Sequence, residues 1–341
     1  MKRSLLAFGV AFLMCIGLLL APVQAAQPEK TTLTYLEPGR YLIKLPVILA
    51  SAAGYFAEEG LDVKVSIAPG QRVYEALLAQ DADLIAVSYG SMMKINQQGK
   101  AVSSVINITR NCLFHLVAQA EIKSLQDLKG KRIGVPKVGE EVTAVIRAAL
   151  ARQGMDPDND VKWVSVGIQG TMIAAMKRGE IDAVGAVGEW RDHLLRAVPG
   201  THVLIDYSSA TDLEKYLGEK AYPLAHVQMT KTFIDENPET VQRVVNAVLK
   251  SLNFINTHTP DECIDVVKDK YWEDADRATL VQYLTEIKSA FSIDGLTTKA
   301  GYDAVVKVNS EAGLLGTPAP VFETITDLRF VENAGNRLGL K

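Results

Sequence analysis

Short apolar strands that alternate with helical segments dominate the pattern of the chain. In residues 54–65, a helical segment ends at Gly60, and apolar side chains then occupy every second position up to Val65. Glycine is favoured at that point because the end of a helix often needs a residue with positive φ, and a period of two is typical of a strand. The same order of helix, glycine and strand recurs in residues 148–166. The repetition predicts two lobes of similar construction.

Apolar segments of strand length are separated from one another mostly by helical segments. This alternation predicts an α/β fold with parallel sheets and right-handed crossovers. After residue 223 the pattern changes, because residues 237–283 are mostly helical and a last helix covers residues 302–312. Asn237 and Pro238 begin that helical region with a favourable cap and first position. The predicted strands cover residues 32–36, 63–67, 83–87, 102–108, 113–119, 131–135, 161–166, 181–187, 203–207 and 224–229.

The N-terminus has the three parts of a secretory signal peptide. Lys2-Arg3 precedes an uncharged apolar run at residues 5–20, and Val23-Gln24-Ala25 then offers compact residues for cleavage. The apolar run is short for a helix that spans a membrane. We therefore expect residues 1–25 to be removed by cleavage near Ala25 and the mature protein to reside in the periplasm.

Length and charge narrow the class of protein. A chain of 341 residues favours two domains, and 36 basic residues against 40 acidic ones give a net charge of −4. This balance, without a long run of like charges, gives no reason to expect a nucleic-acid partner. The sequence also contains no low-complexity linker, which favours lobes joined by a hinge over lobes joined by a flexible tether.

Cysteine and histidine positions argue against a metal site or a disulfide scaffold. Cys15 lies in the predicted leader, and the methionine before it is too large for a lipid-attachment signal. The mature chain keeps Cys112 and Cys263, for which we expect buried free thiols, although an oxidising compartment permits a bridge between them. No Cys or His pair has the spacing of metal ligands. We expect neither a cofactor nor a metal.

Five stretches of the chain resemble the solute-binding proteins of bacterial ABC importers. The resemblance is strongest to the NMT1/THI5-like branch, which handles nitrate, sulfonates, taurine and the pyrimidine precursors of thiamine. It extends over roughly residues 32–260, and most of the shared residues mark turns and helix caps. The stretches cover residues 50–63, 76–84, 124–135, 174–184 and 233–239.

The resemblance implies a fold and a set of partners. The fold would be a two-lobe periplasmic-binding-protein fold, in which each lobe is a mostly parallel sheet flanked by helices and a ligand cleft lies between the lobes. Residues 26–119 and 223–341 would form lobe I, and residues 120–222 would form lobe II. The partners would be a small-molecule ligand and the permease and ATPase of the inner membrane. The protein itself would be a monomer and not an enzyme.

Candidate ligand-binding residues follow from the position of the loops in such a fold. In parallel α/β sheets, ligands bind beyond the carboxyl ends of the strands. The loops at those ends carry acids, arginines, hydroxyl groups and aromatic rings, with Arg72 and Glu141 as further charged neighbours. The candidates are Glu37, Arg40, Tyr41, Ser88, Tyr89, Arg110, Gly139, Glu140, Gln169, Glu189 and Trp190.

The charges of these loops are compatible with several kinds of ligand. A zwitterion or a polar nitrogen heterocycle would place its acceptor end on the arginines and its donor end on the glutamates. A carboxylate held by Arg40 or Arg110 is an alternative. In a third interpretation the charges face solvent, and Tyr41, Tyr89 and Trp190 line the pocket.

Some candidates have an ordinary structural explanation. Ser88 suits a helix cap, and acids in a first helical turn are favoured by the helix dipole whatever binds nearby. Acids at residues 139–141 also oppose a bound anion, which disfavours nitrate or a sulfonate as the ligand.

Two other functions fit the same fold. A sensor subunit that presents its ligand to a membrane receptor would have the same sequence features as a transport protein. An enzyme that makes the thiamine pyrimidine would carry a cysteine-rich tract, whereas the mature chain has Cys112 and Cys263 far apart. We see no Ser-His-Asp order and no phosphate-binding loop.

Overall fold

Two five-stranded sheets form the framework of the protein. The computed structural model describes residues 26–68, 72–167 and 169–339, so the predicted signal peptide at residues 1–25 lies outside the described residues. The strands are β1 (Thr32–Glu37), β2 (Asp62–Ile67), β3 (Leu84–Ser88), β4 (Val102–Asn107), β5 (Phe114–Ala118), β6 (Arg132–Val135), β7 (Lys162–Ser165), β8 (Ala183–Val187), β9 (His202–Asp206) and β10 (Ala225–Thr230).

Helices surround both sheets. They are α1 (Leu45–Ala52), α2 (Tyr55–Glu58), α3 (Arg72–Leu78), α4 (Tyr89–Gln97), α5 (Glu141–Arg152), α6 (Gln169–Lys177), α7 (Trp190–Ala197), α8 (Ala210–Leu217), α9 (Lys231–Glu236), α10 (Pro238–Thr257), α11 (Pro260–Tyr271), α12 (Arg277–Ile287), α13 (Lys299–Glu311), α14 (Phe322–Ile325) and α15 (Arg329–Leu338). Short 3-10 helices cover Leu42–Lys44, Leu125–Leu128 and Lys288–Ala290.

The two sheets have the same topology. The first has the strand order β2-β1-β3-β10-β4 and the second the order β7-β6-β8-β5-β9. In each sheet, one strand, β10 or β5, runs antiparallel between its two neighbours, and the remaining pairs are parallel. The predicted α/β fold with two mostly parallel lobes is therefore confirmed, and so is the internal repetition.

The position of β5 differs from the sequence interpretation. Residues up to 119 were expected in lobe I, but Phe114–Ala118 pairs with β8 and β9 in the second sheet. Every residue of this strand is buried. An apolar strand with both faces covered carries no pattern that tells which sheet it joins. The chain therefore crosses to the second sheet before Phe114 rather than near Ala120.

Two helical predictions also differ from the structure. The mostly apolar and small residues 46–58 predict a single helix, but α1 and α2 are separate because Gly54 has a φ of 83°. Only glycine adopts that conformation without strain. The helix predicted as the last one, at residues 302–312, is followed in the structure by α14 and α15.

The C-terminal helices contact both lobes. Helix α10 packs against α1, α2 and α15. Helix α12 reaches the second lobe, where Glu286 forms an ion pair with Arg191 of α7 and the Tyr283 ring lies 6.5 Å from the His115 ring. Within the described part of the chain, no helix is both long and apolar enough to cross a bilayer.

A close approach of α5 to β8 gives the first test of the fold. A methyl group at Gly185 would lie 2.8 Å from both Ile146 Cδ1 and Val142 Cγ2, which are fully buried core atoms. Gly185→Ala should therefore lower the free energy of unfolding by about 1–3 kcal/mol through overpacking. Gly170→Ala in α6 is the control, because no atom lies within 4 Å of its added methyl group. Chemical denaturation of both variants checks this, and equal stability would contradict the close packing.

Candidate ligand-binding site

A cavity of about 630 Å³ lies where the two lobes meet. Its walls come from both sheets, at the carboxyl ends of β1, β3, β6, β7 and β8 and at the start of α4 and α5. This is the place where ligands bind to parallel α/β sheets. The lining residues include Pro38, Tyr41, Ile43, Lys44, Ser88, Lys94, Phe114, Gly139, Glu140, Glu141 and Trp190.

The structure brings only some of the predicted site residues to this cavity. Tyr41, Ser88, Gly139, Glu140 and Trp190 line it, as do the neighbouring Arg72 and Glu141. Contact of these residues with a ligand stays a prediction.

The remaining candidates lie elsewhere in the described structure. Arg40 is exposed, and Gln169 is partly exposed outside the lining. Arg110 is exposed too, and its Nε donates a hydrogen bond of 3.1 Å to the Ser289 carbonyl. The interpretation that arginines 40 and 110 hold the ligand therefore has no support in the geometry.

Tyr89 belongs to the core instead of the cavity. It is fully buried, and its ring stacks on His226 with 4.3 Å between ring centroids. Its hydroxyl group shares a hydrogen bond with Thr326. The strand β3 ends at Ser88, so Tyr89 begins the first turn of α4, and it does not line the cavity.

An aromatic pair connects the two walls of the cavity. The rings of Tyr41 and Trp190 lie 5.1 Å apart at an angle of 47°. Tyr41 belongs to the first lobe and Trp190 to the start of α7 in the second. A side chain at Gly39 would collide with the Tyr41 ring, so glycine lets the loop pack against it. The pair offers an apolar surface that both lobes contribute.

Glu189 ties the lobes together next to this aromatic pair. Its carboxylate accepts a hydrogen bond of 3.2 Å from the backbone N–H of Leu42, which belongs to the other lobe. The side chain is buried, and burial raises the pKa of Glu189 to about 7. Glu189 therefore stabilises the contact between the lobes, and its carboxylate already has a protein partner in the Leu42 N–H.

A second connection between the lobes surrounds Glu141. This buried carboxylate accepts hydrogen bonds from the Tyr222 hydroxyl and, at 2.9 Å, from Asn309 Nδ2 of α13. Burial raises the pKa of Glu141. A side chain at Gly90 would collide with the carboxylate, so Gly90 leaves the room that it needs. The hydrogen bonds tie the start of α5 to α13, and the small size of Gly90 lets α5 approach α4.

The sequence analysis missed Lys44. This lysine lines the cavity, yet it is only 5% exposed. No carboxylate oxygen of the described residues lies within 4.0 Å of its Nζ, and no described residue forms a hydrogen bond with this Nζ. Burial lowers the pKa of Lys44 to about 8, and the charge of Glu37 partly opposes that effect. The available signal was a single charge between Ile43 and Leu45 in an otherwise apolar segment, since lysine is almost never fully buried without a partner.

Glu37 is the acid whose charge raises the pKa of Lys44. It does not line the cavity and is 2% exposed. Burial raises the pKa of Glu37 to about 7, against the opposing effects of Lys44, the Tyr35 hydroxyl and Arg40. The Tyr35 hydroxyl donates a hydrogen bond of 3.3 Å to its carboxylate. Glu37 was predicted to bind ligand, but the structure places it behind the wall of the cavity.

Comparison with known proteins identifies the family. The family model described as NMT1/THI5 like matches residues 44–263, which is more than half of the chain, so the protein belongs to this family. A Brucella abortus (strain 2308) protein that is named only as a binding protein is 28% identical over 286 residues, which are 82% of each chain.

Solved structures show the same fold. A protein from Bordetella bronchiseptica RB50 has a TM-score of 0.80 at 21% identity, over 92% of this chain and 100% of the other. The periplasmic nitrate-binding protein NrtA from Synechocystis PCC 6803 has a TM-score of 0.74 at 14% identity, over 93% of this chain and 91% of the other. The two-lobe periplasmic-binding-protein fold is therefore shown, as the resemblance implied.

An enzyme also shares sequence similarity with the chain. The 4-amino-5-hydroxymethyl-2-methylpyrimidine phosphate synthase THI13 of Saccharomyces cerevisiae is 23% identical over 236 residues, which are 62% of this chain and 63% of the enzyme.

Replacing Glu37 by glutamine should change how stability depends on pH. The carboxyl has a pKa of about 7 in the folded protein, against an ordinary value of 4.5. Its ionisation therefore costs stability as pH rises from about 4.5 to 7, and the cost stays constant above that window. Glu37→Gln should leave stability at pH 4.5 nearly unchanged and raise it at pH 7.5, by up to about 3 kcal/mol at 1.36 kcal/mol per pKa unit.

The matched control is the exposed Glu121. Glu121→Gln should follow the wild-type curve within about 0.5 kcal/mol at both pH values. Urea denaturation at pH 4.5 and 7.5 measures all three proteins. If Glu37→Gln runs parallel to wild type, the carboxyl at position 37 is not destabilised by burial.

Proposed function

We propose that this protein is the substrate-binding component of an ABC importer. It captures a small polar organic molecule between its lobes and delivers it to a membrane permease and its ATPase. The observation that carries the proposal is the cavity whose two walls come from different lobes. A ligand bound there contacts both lobes, so it stabilises the closed arrangement by mass action.

The size and chemistry of the cavity support a small organic ligand. Ligand sites in proteins commonly have volumes of about 300–1,000 Å³ and are mostly apolar with a few polar groups. The volume of about 630 Å³ lies within this range. Tyr41 and Trp190 provide aromatic surface, and Lys44 and Glu140 provide charge. A nitrate ion alone would leave most of this space to water.

Export to the periplasm is part of the proposal. It rests on the signal-peptide pattern of residues 1–25 and on the periplasmic binding proteins that share the fold. The permease and ATPase follow from the same comparison, because solved neighbours include components of ABC import systems.

Binding explains the site better than catalysis does. Cys112 and Cys263 are both buried free thiols. Burial raises the pKa of Cys112 far above its usual range, so the thiol is not activated as a nucleophile. The buried acids at positions 141 and 189 have protein hydrogen-bond donors that connect the lobes.

Native mass spectrometry of protein purified from the periplasm of its own host tests the proposal. We expect an additional small-molecule mass that is released on unfolding in chemically unchanged form. Small-angle scattering should then show a larger radius of gyration after the molecule is removed and a smaller one after it is returned. Chemical conversion of the bound molecule on incubation, or a radius that never changes, would contradict a binding protein.

Trp190→Ala should weaken binding of the molecule identified in this way. Loss of an aromatic anchor at the centre of a binding site costs about 2 kcal/mol, which is roughly a 30-fold change in Kd. Tyr216→Ala on α8 is the control, because that ring lies outside the cavity lining. Titration calorimetry measures both variants. Equal loss in the two would show that aromatic removal acts through stability rather than through the site.

A further inference from the structure

Lys44 indicates the kind of ligand that the cavity binds, because its charge has no hydrogen-bond or ion-pair partner among the described residues. Its side chain is more than nine-tenths buried and lines the cavity. Across residues 26–68, 72–167 and 169–339, no side chain forms a hydrogen bond or an ion pair with its ammonium group. A desolvated charge is costly unless another group pairs with it. A ligand with the opposite charge would provide that partner.

The other titratable groups around the cavity do not neutralise this lysine. Glu141 is occupied by Tyr222 and Asn309, and Glu189 accepts the Leu42 N–H. His226 is buried, and burial lowers its pKa to about 3, so it carries no charge at neutral pH.

Nearer the mouth, the charges are more exposed than Lys44. Glu140 is partly exposed and is influenced by Lys137 and Lys94. Lys94 Nζ donates a long hydrogen bond of 3.4 Å to the Gly139 carbonyl. Glu37 lies behind the wall, and burial favours its neutral form up to about pH 7, as its raised pKa shows. Lys44 therefore keeps most of its positive charge inside the cavity.

The helices that begin at the cavity add to the preference for an anion. Ser88 and Glu140 are the residues before α4 and α5, and both line the cavity. The start of a helix carries a partial positive charge. The protein already places one carboxylate in this field, since Glu141 lies against Gly90 in the first turn of α4.

We propose that the ligand is an organic monocarboxylate with a flat, apolar body. Its carboxylate pairs with Lys44, and its body lies against Tyr41 and Trp190. This assignment rests on the proposed function of the cavity as a capture site. Lys44 is the buried cation of the lining, whereas Arg72, Lys94 and Lys137 are more exposed. A second negative charge on the ligand would be disfavoured by Glu140 and Glu141, which also line the cavity.

The cavity lining favours a carboxylate over a sulfonate. Ile43 and Phe114 are apolar, and Glu141 is acidic. A sulfonate presents three oxygens that need donors from several directions, whereas a carboxylate presents two. The assignment differs from the sequence interpretation, in which arginines 40 and 110 held the acceptor end of the ligand.

Matched acids and amides test the charge assignment. The probes are benzoate, 3-phenylpropionate and indole-3-acetate, each with its neutral amide, together with benzenesulfonate. Titration calorimetry at pH 6.5 should show that at least one acid binds, with an affinity at least 30-fold higher than that of its amide. Acid binding should weaken as pH rises through 7 and 8, while amide binding should not change. Benzenesulfonate should bind more weakly than benzoate.

Lys44→Met should remove the preference for acids. We expect the affinity of the acid to fall at least 30-fold and that of the amide to stay within threefold. Lys64→Met is the control, because Lys64 is an exposed residue of β2 outside the cavity lining, and it should change acid affinity by less than threefold. The pH series in the wild-type protein gives the same information should the methionine variant fold poorly.

Several results would overturn the assignment. Equal affinity for acids and amides, tighter binding of benzenesulfonate, or full acid binding by Lys44→Met would each do so. Failure of the wild-type protein to bind any acid of the panel would do so as well. A neutral or cationic molecule found by native mass spectrometry would refute the carboxylate and leave the capture function intact. A protein that carries no molecule and never closes would refute both.

Discussion

Burial of charge between the two lobes is the constraint on which the rest of the structure depends. Lys44, Glu37, Glu141 and Glu189 are each at most 5% exposed. Desolvation is unfavourable for the charged form of every one of them, as the directions of their pKa shifts show. Glu141 and Glu189 are compensated by hydrogen bonds across the lobes, whereas Lys44 forms no hydrogen bond or ion pair with the described residues and is only partly compensated by the charge of Glu37. We infer that closure of the lobes is most favourable when a ligand supplies the missing charge.

The repeated topology explains why the cavity lies where it does. Both sheets present the carboxyl ends of their parallel strands to the same gap, so loops from each lobe meet there. Close approaches keep the walls in place. Gly185 lets α5 pack on β8, and Gly90 lets the carboxylate of Glu141 reach α4. The packing of α5 against β8 and against α4 therefore depends on glycines within regular elements.

The sequence predicted the fold more fully than the site. Helix, glycine and strand recur with a clear period, and that pattern is local, so the α/β lobes could be read from it. The strands that pair with β5 could not be predicted from the sequence, because an apolar strand fits either sheet. Residues at strand ends were good candidates as a group. Their side-chain directions could not be predicted, since loops have no period, and Arg110 and Tyr89 are not among the residues that line the cavity.

Lys44 shows the opposite problem. It follows the first loop by several residues and lies in a short 3-10 helix, so a search limited to strand ends passes over it. Its burial and its lack of a protein partner become visible only when both lobes are in place. The sequence does show a lone lysine inside an apolar segment, and this pattern indicates a functional residue as strongly as the arginines at the strand ends do. The most informative residue of the site is thus one that the loop pattern did not select.

A crystal structure of the protein with its co-purified molecule tests the central claim most directly. The account predicts that the molecule contacts both lobes, with an oxygen of a carboxylate at ion-pair distance from Lys44 Nζ and a flat body against Tyr41 and Trp190. A molecule that touches one lobe alone would contradict capture by closure. A molecule that presents an apolar or cationic group to Lys44 would contradict the role of that charge.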